Sequence, residues 1–331
     1  MVRHSSTHSE PESGVLRRLL RKTGSLARGG RDRTNDLQVG LLPQKGWSRR
    51  NLDFVSKVLL PEILKPRQGE SRTPDLSHPA ASCRIQVTWI GHATFLIQTG
   101  GTNILIDPNW AQWHAFVKRV RRPGVALDHL PQIDLVLVTH AHFDHLHLRS
   151  LKRVANGQPV LVPKGVGRLV QNKGFGEVVE MSPWDTVRFR DLTITFTPSK
   201  HWGARMVHDV HRGFGGYLIA NACGRTVYHC GDSAYFDGFV EIGRRAEIQL
   251  ALLPIGAYQA MSGRSVHMNP EEALDAFIDL QAIQMSPMHY GSFPLGGEPM
   301  HEPLQRLHEG AISRGMHRSI AVLTEGHPEI F

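Results

Sequence analysis

Residues 133–138 (Ile-Asp-Leu-Val-Leu-Val) form a run of branched apolar side chains that predicts a buried strand. The chain leaves it directly into Thr139-His140-Ala141-His142-Phe143-Asp144-His145-Leu146. Three imidazoles and a carboxylate therefore fall in a loop at a strand's C-terminal end, where rigid scaffolds tend to carry their chemistry. His140 and His142, two residues apart on extended backbone, project to the same side and can grip one metal ion. Asp144 and His145 follow where the chain turns and can reach a second ion. A chain with 20 histidines can also carry a His-rich surface loop. The apolar strand immediately upstream weighs against that alternative.

A pair of ions needs more donors than this loop supplies, and the others are expected just beyond other strand ends. His201 follows the strand-like 192–197, and Asp232 follows 226–229, with Gly231 giving the backbone room to approach an ion. His289 closes a third apolar run beginning near residue 283. Each alone is weak, because a histidine after a strand is often a plain loop residue. Their common placement is what argues for a single site.

The pattern elsewhere predicts an α+β fold. Residues 84–90, 93–98 and 103–108 alternate or run apolar, with Gly100-Gly101 as a hairpin turn, so the chain opens with an antiparallel meander. Helices are expected over 148–155, 165–172, 270–280 and within 303–315. Strands are expected at 159–163, 177–181, 186–190, 192–197, 217–220, 226–229 and 249–253. Two sheets flanked by helices, a four-layer αββα sandwich, fit this order better than a doubly wound sheet, since a run of βα units is not apparent. Gly213, Gly215 and Gly216 lack the spacing of a phosphate loop and predict a tight turn before a strand.

Charge and cysteine usage bound the setting. The net charge of +8 is concentrated in residues 1–70, which hold 14 Lys/Arg against 7 Asp/Glu. The remainder is close to neutral, so nucleic acid is not the expected substrate. The chain divides into a disordered basic arm (1–28), an extension packed on the core (29–82) with a helix near 50–60, and a catalytic domain (83–331). Within the arm, 15–22 has the pattern of a short basic helix that can rest on an anionic membrane. Cys83, Cys223 and Cys230 show no paired spacing, which points to no disulfide framework, a reducing compartment and a cytoplasmic location with peripheral membrane contact as an option.

These motifs resemble the metallo-β-lactamase fold superfamily, whose HxHxDH pattern is complete as His140, His142, Asp144 and His145. They are similar in particular to the branch containing the N-acyl-phosphatidylethanolamine-hydrolysing phospholipase D and its bacterial relatives. That branch is suggested by Thr88-Trp89-Ile90-Gly91-His92-Ala93-Thr94, Thr197-Pro198-Ser199-Lys200-His201-Trp202 and Gly231-Asp232-Ser233. Pro254-Ile255-Gly256-Ala257-Tyr258, His267-Met268-Asn269-Pro270 and Met288-His289-Tyr290-Gly291-Ser292-Phe293 add to it. The resemblance implies a metallo-β-lactamase-like fold and two divalent ions, zinc first, with iron or manganese accepted by the same donors. It implies that His140, His142 and His201 hold one ion, that Asp144, His145 and His289 hold the other, and that Asp232 bridges them. His267 would face a substrate phosphate.

The activity so implied is hydrolysis of a small-molecule or lipid phosphodiester through a metal-bridging hydroxide, with Asp144, Asp232 and His267 as catalytic groups. Alternatives are a lactonase, ester or lactam hydrolase acting on a sugar-phosphate-like substrate, and a nuclease or nucleic-acid binder. A metal-bound histidine needs an acceptor on its other nitrogen, and Asp107 is the candidate, although it can equally cap a turn. His92 lies next to the site or packs structurally. Tyr258, Tyr290 and Phe293 are pocket candidates, Trp110, Trp113, His114 and Phe116 form an aromatic, partly helical insertion, and His147 is expected to be exposed.

Overall fold

The computed structural model describes residues 17–18, 43–79, 83–206 and 209–331. Strand β1 (Arg17–Arg18) is followed by a helical rod made of α1 (Trp47–Phe54), a π turn (Val55–Leu59) and α2 (Leu60–Leu64). Next come β2 (Gln86–Gly91), β3 (Thr94–Thr99), β4 (Thr102–Ile106), a short hairpin of β5 (Trp113–His114) and β6 (Val117–Lys118), and β7 (Leu135–Leu137). Then follow α3 (Leu148–Val154), β8 (Pro159–Pro163), α4 (Gly167–Val170), β9 (Glu177–Met181), β10 (Thr186–Phe189), β11 (Leu192–Thr197), β12 (Gly216–Ala220) and β13 (Thr226–His229). The chain ends with α5 (Gly238–Gly243), β14 (Ile248–Pro254), α6 (Pro270–Asp279), β15 (Gln284–Met288), α7 (Glu302–Ser313) and β16 (Pro328–Ile330).

Two seven-stranded sheets stack face to face, ordered β1-β10-β11-β12-β13-β14-β15 and β16-β2-β3-β4-β7-β8-β9. The period-2 pattern explains the layering. In the second sheet Val87, Trp89, Phe95, Ile97, Ile104 and Ile106 point into the core shared with the first sheet. Their neighbours Ile90, Leu96, Leu105, Val136 and Val160 point outward, against Leu151 and Val154 of α3, Val170 of α4 and Val166 just before it. Helices α5 to α7 cover the first sheet with Phe239, Leu274, Phe277 and Leu307. This is the αββα sandwich expected from the sequence. Among the described residues no helix is long and apolar enough to cross a membrane.

The meander β2-β3-β4 is antiparallel as expected, but β4, β7, β8 and β9 run parallel with α3 and α4 as crossovers, so βα units are present after all. Strands β13, β14 and β15 are parallel too. Strands running the same way end on the same edge, and this gathers their C-terminal loops.

Three other expectations change. Of the helix expected over 15–22, the described pair Arg17–Arg18 is extended and pairs with Arg188 and Val187; the rest of the basic arm lies outside the described residues. The aromatic insertion is a β-hairpin rather than partly helical, because Ala115 takes a left-handed conformation (φ 50°) at its tip. Cys83 and Cys223 form a disulfide with a Cα separation of 5.5 Å, across 140 residues of chain. It clasps the start of β2 to the β12–β13 turn, helped by Asn221, whose side-chain amide donates to the Cys83 carbonyl and to Thr99 Oγ1. The composition argument for a reducing compartment therefore falls.

Removing that clasp, with Cys83→Ser and Cys223→Ser, is expected to lower unfolding free energy by about 2–4 kcal/mol in a urea titration. An unchanged midpoint would show that the link adds nothing to stability.

Candidate metal centre

All members of the site but His267, which lies in the loop between β14 and α6, sit just past a strand end. His92 follows β2, Asp107 follows β4, residues 139–145 follow β7, His201 follows β11, Asp232 follows β13 and His289 follows β15. Three of them, His92 (φ 59°), Asp107 (φ 45°) and His289 (φ 61°), have left-handed backbone, a costly conformation for residues with a Cβ. Hydrogen bonds hold these turns: His289 N–H donates to the His92 carbonyl, and the Asp107 carbonyl accepts from Thr94 Oγ1. Gly231 (φ 65°) is required sterically, since a Cβ there would stand 2.6 Å from the Gly215 carbonyl oxygen. Gly216 opens β12, in keeping with the expected turn before a strand.

At the centre lies one oxygen, Asp232 Oδ2. His145 Nε2 is 3.2 Å from it, His289 Nε2 3.3 Å, His140 Nε2 3.6 Å, His201 Nε2 3.8 Å and His267 Nδ1 3.8 Å. Two four-membered donor groups flank it, each with ligand atoms within 4.8 Å of one another: His140, His142, His201 and Asp232, and His92, Asp144, His145 and His289. Asp232, His267 and His289 form a third group. The residues expected from the sequence are thus brought together from across the chain.

Burial shapes the titration of the cluster. Desolvation holds His140 and His201 well below the usual imidazole range and takes His142 and His267 down to about 4. Burial also opposes charge on His289, yet the Asp232 and Asp144 carboxylates hold it up at about 9. Burial would raise Asp232 and Asp144, but the neighbouring His145 overrides it and keeps both well below the usual carboxylate range. Among the described residues, Asp232 Oδ1, His142 Nε2 and His145 Nε2 are buried with no hydrogen-bond partner. Two carboxylates surrounded by imidazole nitrogens with unmet lone pairs are a donor set that a divalent cation satisfies.

Outer contacts fix the rings. Asp107 Oδ2 lies 2.7 Å from His145 Nδ1, while its oxygens also accept from Thr139 N–H (2.8 Å) and Thr139 Oγ1 (2.6 Å). His201 Nδ1 is 2.8 Å from the Val266 carbonyl, which leaves Nε2 facing the cluster. His92 Nε2 lies 2.8 Å from Asp144 Oδ2, so it belongs to the cluster directly and is more than packing. Thr139, to which the sequence alone assigned no role, ties Asp107 to His140 Nδ1, which lies 3.0 Å from its hydroxyl. Its place between strand and motif was the only available signal. Arg205 was also overlooked: its Nη1 donates to the Ala141 and Leu146 carbonyls at 2.7 and 2.9 Å, bracing the His-rich loop.

The pocket candidates separate. Tyr258 lines a groove of about 640 Å³ beside His267, together with Arg50, Phe54 and Arg264, and its hydroxyl donates to Glu302 at 2.6 Å. Tyr290 turns into the core and stacks on Trp89 with ring centroids 5.2 Å apart. Phe293 is buried edge-on beneath His92 at 5.3 Å. His147 is half-buried rather than exposed, because its Nδ1 meets Ser150 Oγ at 2.7 Å at the start of α3.

A family model described as Beta-lactamase superfamily domain matches residues 102–290. The chain is similar to N-acyl-phosphatidylethanolamine-hydrolyzing phospholipase D 1 of Caenorhabditis elegans, 33% identical over 244 residues that make up 67% of this chain and 68% of that protein. A metal-dependent hydrolase of Pyrobaculum arsenaticum is 34% identical over 215 residues, covering 64% of this chain and 86% of that protein. Among solved structures, Igni18, a metallo hydrolase of Ignicoccus hospitalis, aligns with a TM-score of 0.59 at 26% identity, over 75% of this chain and all but a small part (98% covered) of that one.

Asp107→Asn is expected to weaken zinc retention about 10–100-fold in competition with a chelator, because His145 loses its carboxylate acceptor. Unchanged retention would reduce Asp107 to a turn cap.

Proposed function

This chain belongs to the metallo-β-lactamase superfamily of metal-dependent hydrolases, and from that premise we propose that it uses two divalent ions to cleave a phosphodiester, with phospholipid as the substrate class. One observation carries the reading: the Asp232 carboxylate lies between two histidine-rich donor groups and touches both. His140, His142 and His201 would hold one ion, Asp144, His145 and His289 the other, and Asp232 would be shared. A bound pair of such ions supplies Lewis acidity and a water acidic enough to attack near neutral pH.

The protein's own groups do the remaining work. Asp144, gripped by His92, presents an acceptor that orients the attacking water. His267 stands between Asp232 and the groove and offers an N–H to a phosphoryl oxygen, where charge grows in the transition state. The groove, walled by Phe54 and Met261 and edged by Arg50 and Arg264, suits a ligand with an apolar length and an anionic centre. The similarity to the nematode phospholipase D supports a lipid diester over a lactone or a cyclic nucleotide.

The test is a substrate panel of an aryl phosphodiester, a phospholipid, a cyclic nucleotide and a lactone, run on metal-loaded protein. Preferred turnover of the phospholipid is expected; turnover confined to the lactone would replace the reading with its rival. Asp232→Asn should abolish diester cleavage and lower metal content. His267→Ala should keep its metal and slow diester cleavage about a hundredfold, so metal loss in that variant would contradict its substrate-facing role.

A further inference from the structure

The helical rod that lines the groove and the β5–β6 hairpin at the rod's end both carry large apolar side chains into solvent. On the helical rod Phe54, Val58 and Leu59 are buried, packed with Val117 of β6 and with Phe293. The opposite side is open: Leu52 is 69% exposed, Leu60 51% and Leu64 85%. The π turn produces this division, because its extra residue lets Val58 and Leu59 both turn inward while Leu60 N–H bonds back to the Val55 carbonyl. The β5–β6 hairpin packs on the end of the rod, where Lys118 Nζ donates to the Ile63 carbonyl at 2.8 Å. Its tip leaves Phe116 62% exposed and Trp113 45% exposed.

Residues 47–67 hold five basic side chains (Arg49, Arg50, Lys57, Lys65, Arg67) against two acidic ones, Asp53 and Glu62. Asp53 pairs with Lys57 at 2.8 Å and Glu62 with Lys65 at 2.7 Å, so the net positive charge of the stretch falls to Arg49, Arg50 and Arg67. An apolar stripe with a net basic border matches an anionic lipid surface, in which side chains enter the acyl region and cations meet headgroups. A second copy of this chain would set the same basic border against itself, a like-charge contact that disfavours that occupant.

Both elements also reach the metal centre. Arg50, Asp53, Phe54 and Lys57 form the rod's side of the groove that ends at His267. In the hairpin, His114 packs on Phe293 (4.7 Å), and Phe293 packs on His92. We propose that the exposed stripe of the rod and the hairpin tip together form a docking surface for anionic membranes, which sets the groove mouth against the bilayer so that lipid passes directly to the centre. Only the direction of substrate entry rests on the phospholipid reading; the docking stands without it.

The test is flotation of the full chain with phosphatidylcholine vesicles, with and without phosphatidylglycerol, read without turnover. Wild-type protein is expected to float with the anionic vesicles. Leu64→Ser with Phe116→Ser should weaken that binding on the order of tenfold or more, with melting temperature and turnover of a soluble aryl diester unchanged. Binding that is equal in wild type and variant would overturn the proposal, as would no wild-type binding. A dimer of the wild type that the same substitutions convert to monomer would overturn it too and assign the face to a second copy. If vesicles bind as expected but no phospholipid is cleaved, the substrate reading fails and the docking surface remains.

Discussion

A carboxylate removed from water is costly unless positive charge or donors surround it, and Asp232 is 2% exposed with imidazole nitrogens of five histidines within 3.8 Å of one oxygen. Of those histidines, burial drives His140, His201 and His267 toward the neutral form, while the carboxylates hold His145 and His289 up. Like charges and lone pairs thus crowd one buried centre, and among the described residues Asp232 Oδ1, His142 Nε2 and His145 Nε2 are left without a hydrogen-bond partner. Divalent cations would resolve this conflict, and folding and metal binding would then be parts of one equilibrium.

The sandwich meets this demand through strand direction. Parallel runs in both sheets, β4-β7-β8-β9 and β13-β14-β15, deliver their ends to the same edge, so each donor needs only a short turn to arrive. The left-handed conformations of His92, Asp107 and His289 are the strained part of the design, held in place by the packed sheets beneath. The disulfide lies at the opposite edge, where Cys83 precedes β2 and Cys223 sits in the β12–β13 turn. It ties the two sheets together without touching the chemistry.

Much of this was legible in the sequence. Apolar runs ending in histidine or aspartate marked the strand ends, and the spacing within 140–145 revealed a site that the scattered His201, Asp232 and His289 complete. What stayed hidden depends on long-range approach. Nothing local marks Cys83 and Cys223 as partners, because 140 residues separate them and only the stacking of the sheets brings them within reach. His92 looked like a packing residue because its contact with Asp144 spans 52 positions. The aromatic residues near 113–116 suggested helix by their spacing, but the left-handed Ala115 turns them into a hairpin. Tyr290 adjoins a site residue in sequence, yet the turn at His289 sends its ring into the core.

The central claim is that Asp232 is shared between two cations. Anomalous diffraction from crystals of the zinc-loaded protein measures this directly. The account predicts two peaks per chain, one on each side of the Asp232 carboxylate, the first among His140, His142 and His201 and the second among Asp144, His145 and His289. A single peak, or peaks away from Asp232, would contradict it.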